Sequence, residues 1–204
     1  MASTLAVHHY GTGDIRDDHG WGCVYRCLQM LVSTLEGQPV PTMTQLLRFF
    51  GLWERYARRV RGPALWLEPP DAARYLRARC GATPVEWLYL PGADESGSAA
   101  MRRCTPRHYR RQRRVLTDAR QLLAVLGAHF EAPAPHPFII DNGISAYILA
   151  GYTPGDARPV HLVDPHVTAA ARAPQRHARA FLTDSPLWML CSAWRAAPPT
   201  AHGT

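Results

Sequence analysis

Apolar residues recur at helical spacing most clearly between Cys23 and Leu35. Val24, Cys27, Leu28, Leu31, Val32 and Leu35 form one wide stripe on an otherwise polar segment. The pattern predicts a helix that starts abruptly after Gly20-Trp21-Gly22, ends before Gly37 and buries one face. Pro41-Thr42 followed by Gln45 reads as a capping box opening a second helix through Phe50. Pro70 and Asp71 start a third, closed by Gly81, and a fourth runs from about Asp118 to Phe130. Val85 to Leu90 is strand-like. In the final third the period changes, and Phe138–Ile140, Ala146–Tyr152, Val160–Asp164 and Leu187–Ala193 predict four strands. Asn142-Gly143 and Pro154-Gly155-Asp156 supply the turns between the first three. Helices first and a mostly antiparallel sheet afterwards is an α+β order. Residues 1–195 are expected to form a single domain, and 196–204, rich in Pro and Ala, a flexible tail.

Composition narrows the class. A chain of 204 residues can bury about 70% of its unfolded surface, so it needs no disulfide or metal to fold. Its hydrophobic share of 47% excludes disorder as the main state. No apolar run approaches the ~18 residues needed to span a bilayer, so membrane insertion is not expected. Neither is a secretory leader, because the first residues lack a basic start and an apolar stretch. Five cysteines, an odd number without metal-ligand spacing, point to reduced thiols in the cytoplasm or the nucleus. The net charge is +7, all 23 basic residues are arginine, and there is no lysine. Heavy Ala, Arg and Pro usage explains this as coding bias. A lysine-free surface also offers no side-chain amine for ubiquitin-like conjugation, and composition does not separate the two.

Two segments carry candidate chemistry. Cys23 lies in the first turn of the predicted helix, near unpaired backbone N–H groups and the positive end of the helix dipole. Both favour the thiolate, the form that attacks a carbonyl carbon. Gly20 and Gly22 let the backbone turn sharply and let a substrate chain approach closely. The competing reading is a small buried core cysteine. In Asp164-Pro165-His166 the two polar residues are two apart, so an extended chain projects them to one side. Asp164 can then hold an imidazole at His166 while that imidazole faces a thiol, the arrangement of a general base activating a nucleophile. The competing reading is an ordinary turn.

The stretch Asp17-Asp18-His19-Gly20-Trp21-Gly22-Cys23-Val24-Tyr25-Arg26, with Leu28-Gln29 behind it, resembles the nucleophile motif of the ubiquitin-fold-modifier-specific cysteine proteases. His9-Tyr10-Gly11 looks like that family's His-Tyr element, and Asp164-Pro165-His166 like its Asp-Pro-His element. The Gly143 turn and the strand after it match in arrangement, and Trp66-Leu67-Glu68 is faintly similar to a middle segment. The resemblance implies a papain-like α+β fold and a thiol protease that matures a small ubiquitin-like modifier or removes it from conjugates. It implies Cys23 as nucleophile, His166 as base and acid, Asp164 as its orienter and Tyr10 in the oxyanion hole. Gly20, Trp21 and Gly22 would form a narrow substrate channel, and no metal or organic cofactor is implied. The sequence departs from the pattern twice: Tyr10 to Cys23 is one residue longer, and Asn142 stands where the family usually carries glycine. The autophagy cysteine proteases share Gly-Trp-Gly-Cys and Asp-Pro-His in the same order and stay open as the alternative. Arg26-Cys27 and Gln29-Met30-Leu31 lean towards them.

Other residues carry weaker signals. Cys27 shares the helix face of Cys23, yet no second cluster completes a metal site, so it reads as core. Cys80, Cys104 and Cys191 read as packing or surface thiols, and His161 as structural. Arg102, Arg103, Arg107, Arg110, Arg111, Arg113 and Arg114 crowd thirteen positions. They support a reading from another class, a module binding nucleic acid or an acidic protein without protease activity. That reading leaves both cysteine-protease motifs unexplained.

Overall fold

A computed structural model describes residues 5–91, 115–167 and 174–194. The arginine run 102–114, Cys104 and the segment 196–204 lie outside the described residues. The chain opens with an irregular segment and then α1 (Cys23–Ser33), α2 (Met43–Phe49), α3 (Trp53–Ala57), a 3-10 turn (Gly62–Leu65) and α4 (Pro69–Cys80). β1 (Thr83–Tyr89), β2 (Val115–Leu116) and α5 (Ala119–Glu131) follow. The remainder is β3 (Phe138–Asp141), β4 (Ala146–Tyr152), β5 (Val160–Val163), β6 (Gln175–His177), α6 (Ala180–Thr183) and β7 (Trp188–Trp194).

Local chemistry explains the boundaries. Thr42 accepts from the Gln45 backbone N–H while the Gln45 side chain accepts from that of Thr42, so the expected capping box opens α2. α4 begins one residue earlier than expected, at Pro69, because Glu68 and Asp71 form a second capping box. It ends at Gly81, whose φ of 59° lies in the left-handed region. α3, β6 and α6 go beyond the sequence reading.

The strands form one sheet in the order β2-β1-β7-β3-β4-β5-β6, antiparallel except for the β1–β2 pair. Both faces are covered, which is why all four residues of β3 are buried. Ile139, Ile148, Val163 and Cys191 face α1, α2 and α4 in one core. Phe138, Ile140, Leu149, Leu162 and Leu190 face α5 and α6 in the other. The alternation along β3 assigns successive side chains to opposite layers. α1 packs on β3 and β4, and α4 on β1 and β7. Among the described residues no helix is long and apolar enough to cross a membrane.

Candidate active site

The loop before α1 is built around a buried carboxylate. Asp18 is fully buried; its Oδ2 accepts from Arg26 Nε at 2.6 Å and its Oδ1 from the Gly11 backbone N–H at 2.8 Å. The Arg26 guanidinium also donates to the carbonyls of Thr12 and Ile15 and to Gln29 Oε1. One side chain on α1 therefore ties together Thr12, Ile15 and Asp18 of the preceding loop. The Asp18 carbonyl accepts from the Gly22 N–H at 2.8 Å, closing the turn that delivers Cys23 to the start of the helix. Gly22, the N-cap, offers no side-chain cap, so the first-turn N–H groups beside Cys23 are not satisfied from that position.

His166 is placed by its own aspartate. Asp164 Oδ1 accepts from the His166 backbone N–H at 2.8 Å and lies 2.5 Å from His166 Nδ1. This fixes the tautomer with Nε2 turned away from the carboxylate. The imidazole is wedged edge-on against Tyr10, ring centres 5.0 Å apart, with Tyr147 at 5.6 Å on another side. Burial by itself lowers the His166 pKa, but hydrogen bonds to Asp164 and to the Cys23 sulfur, with the charges behind them, carry it to about 9. Asp164 feels burial upward, yet the hydrogen bonds from His166 leave its carboxyl below the usual range.

Tyr10 comes to the same place. Its backbone N–H donates to the Pro165 carbonyl at 3.0 Å, tying the N-terminal loop to the Asp-Pro-His turn. Burial, followed by the charge of Cys23 and a hydrogen bond to it, pushes the phenol pKa far above normal, so the hydroxyl keeps its proton. Between Tyr10 and Cys23 the chain turns through Gly11 and Gly13, both at positive φ. Cys23, His166, Asp164 and Tyr10 thus converge, and Cys27 does not join them: it is wholly buried, and burial raises its thiol pKa well above normal.

The groove over Cys23 has a volume of about 440 Å³, and its lining includes Tyr10, Gly20, Trp66, Ile144 and His166. One expectation about it is corrected. Gly22 does not line it: a Cβ there would meet Asp18 atoms at 2.8–2.9 Å, so this glycine accommodates the buried carboxylate and not a substrate. Trp21 is among the residues that line the groove, although it is only 1% exposed, its indole donating to the Asp17 carbonyl and its ring packing edge-on to Tyr25. Gly20 does reach the groove, but the left-handed φ of 78° and not close approach requires glycine there.

The aromatic wall is Trp66, 46% exposed, whose Nε1 donates to the Gly20 carbonyl at 2.9 Å. Opposite stands the β3–β4 turn. Asn142 Oδ1 accepts from the N–H groups of Ile144 and Ser145, which explains a side chain where a glycine was expected. Asp141 accepts from the Gly143 N–H, and burial holds its carboxyl up at about 6. No sequence pattern marks Asp141 or Tyr147, and Trp66 carries only a faint similarity. Among the described residues no group of three or more His, Cys, Asp or Glu could hold a metal ion.

Residues 1–50 match the family model of peptidase family C78. The fold is similar to the crystal structure of UfSP from C. elegans, with a TM-score of 0.60 and 17% identity over 97% of this chain and 35% of that one. The chain thus spans about a third of that protein's length. No curated protein matches the chain. The fold is papain-like α+β, and the quarter of the chain that carries Cys23 is similar to peptidase family C78.

Proposed function

We propose that this protein is a thiol protease that cleaves after the C-terminal glycine of a ubiquitin-like modifier, the ubiquitin-fold modifier. It matures the precursor, removes the modifier from conjugates, or does both. The observation that carries this reading is the convergence of Cys23, His166 and Tyr10 at one groove, with Asp164 behind the imidazole. Cys23 attacks the scissile carbonyl as the thiolate, with His166 as the imidazolium beside it. The developing oxyanion takes the Tyr10 hydroxyl proton as a hydrogen bond, together with first-turn N–H groups of α1. His166 then protonates the leaving amine from Nε2 and later deprotonates the water that hydrolyses the thioester. Thiol chemistry of this kind requires a reduced nucleophile, which supports a cytoplasmic location. The match of residues 1–50 and the shared fold favour this family over the autophagy proteases and over a non-catalytic binding module.

The test is a panel of electrophilic probes, each a modifier with a reactive group at its C-terminus. The ubiquitin-fold modifier probe is expected to label Cys23 fastest. Faster labelling by an autophagy modifier moves the substrate to that family, and no labelling by any member defeats the protease reading.

The pH dependence follows from the imidazole. A histidine whose pKa is raised on folding contributes stability in full below its unfolded value of about 6.5 and loses it as pH rises through about 9. The proton needed by the leaving amine is lost over the same range. The kcat/KM profile is therefore expected to fall on its alkaline side with a midpoint of about 9. Asp164→Asn removes the main support of that proton and is expected to move the midpoint down by about one unit or more. An unmoved midpoint would show that His166 is not the group titrating.

A further inference from the structure

A second pocket, of about 680 Å³, lies between α2, with the segment leading into it, and the C-terminal half of α4. Its floor is aromatic: Phe49 and Tyr75 meet edge to face with ring centres 4.9 Å apart. One rim is the Pro39-Val40-Pro41 segment, where Val40 is 36% exposed. The charged side chains lining it are Arg48 and Arg79, and none of the described residues that line it is acidic. Arg79 lies over the Phe49 ring at 5.6 Å, and the neighbouring Arg74 over Phe50 at 5.2 Å. Arg48 lies over Trp53 at 5.1 Å.

We propose that this pocket is an exosite for an acidic, apolar-containing segment of a protein partner. Carboxylates would be held by Arg48 and Arg79, and an apolar side chain by Val40 and the aromatic floor. Each guanidinium already lies within cation–π range of a ring, and its fork of N–H groups suits planar, bidentate carboxylate pairs. These cations cover ring faces that a nucleobase would need, which favours a protein over a nucleic acid. Restraint by the rings also lowers the entropy lost when a partner orders the arginines. α4 joins this pocket to the groove. Asp71 in its first turn lines the groove and Arg79 lines the pocket. Eight residues at 1.5 Å each separate the two by about 12 Å along the axis. A folded substrate seated in the groove can therefore reach the exosite with the same body. That kinetic role rests on the protease reading; the binding does not.

The test uses the full chain with Cys23→Ala, so that nothing is cleaved. The probe is a fluorescein-labelled ten-residue peptide of Asp, Glu and Leu, followed by anisotropy at physiological ionic strength. Arg48→Gln with Arg79→Gln is expected to weaken binding at least fivefold, and Val40→Glu, at an exposed position, to do the same by repulsion. Thermal melting checks that each variant is folded. Unchanged binding in both variants, no binding by the parent, or tighter binding of a single-stranded oligonucleotide of equal charge would overturn the exosite. In the active enzyme, Arg48→Gln/Arg79→Gln should lower kcat/KM for the folded modifier fivefold or more and leave a short tail peptide unaffected. Equal losses on both substrates would also overturn it. Failure of the protease reading appears separately, as absent cleavage with peptide binding intact.

Discussion

Cys23→Ala is expected to abolish cleavage, with a loss of at least about 10⁴-fold in kcat, while the melting temperature stays near that of the parent. The covalent step has no substitute: water held at the same place lacks both the nucleophilicity of sulfur and the thioester that splits the reaction in two. Cys27→Ala is expected to keep activity, because its sulfur is sealed in the core with a thiol pKa that burial raises. Tyr10→Phe should fall between them. It removes one oxyanion donor and leaves the ring packed against His166, so kcat should drop by about 10²-fold with KM little changed. Steady-state kinetics on one folded substrate, with mass spectrometry of probe-labelled protein, reads all three. Residual turnover in Cys23→Ala, or label on Cys27, would remove Cys23 from the mechanism.

Arg26→Ala is expected to have the largest effect on stability among single substitutions near the site. Both members of the Asp18–Arg26 pair are buried, 0% and 1% exposed. Removing the arginine leaves an uncompensated buried carboxylate and strips hydrogen bonds from two loop carbonyls. Breaking such a pair costs about 3–5 kcal/mol. At roughly 2–4 °C per kcal/mol for a chain of this length, the melting temperature should fall by roughly 6–20 °C. Asp18→Asn combined with Arg26→Gln should cost less than the sum of the two single changes, since neither then leaves a lone buried charge. The same carboxylate accepts from Gly11 N–H beside Tyr10, so activity should fall before the protein unfolds. A shift below 2 °C for Arg26→Ala would mean that the pair is not the brace described.

The parts of the fold that sequence reveals are those with a burial period or a capping side chain. α1 follows its stripe, α2 its Thr42–Gln45 box, and β4 coincides with the expected Ala146–Tyr152 because turn residues bound it on both sides. α3 buries no residue and has no side-chain cap, so it writes no period. β6 is three residues on a sheet edge with a largely exposed pattern. The site divides the same way. Cys23, Asp164 and His166 stand in short local motifs whose spacing has a chemical meaning. Trp66 meets Gly20 across forty-six positions, and Asp141 reaches the groove only through the sheet, so no local pattern marks either. Gly22 misled because a glycine beside a nucleophile invites a substrate-based reason, whereas its neighbour is Asp18.

The place of β7 has a consequence for biosynthesis. It is the last described strand in sequence and lies between β1 and β3, near the middle of the sheet. On one side of it are β3, β4 and β5; α1 packs on β3 and β4, and His166 follows β5. On the other is β1, which with β7 supports α4, whose Asp71 lines the groove with Trp66. A ribosome that has not yet released residue 188 therefore holds the reacting groups and the opposite wall of the groove on two unjoined half-sheets. Long-range closure of this kind is slow compared with helix formation and comes late in folding. On the protease reading, the groove is complete only after the strand that unites the two halves has left the exit tunnel, which gives the nascent chain its own delay against premature proteolysis.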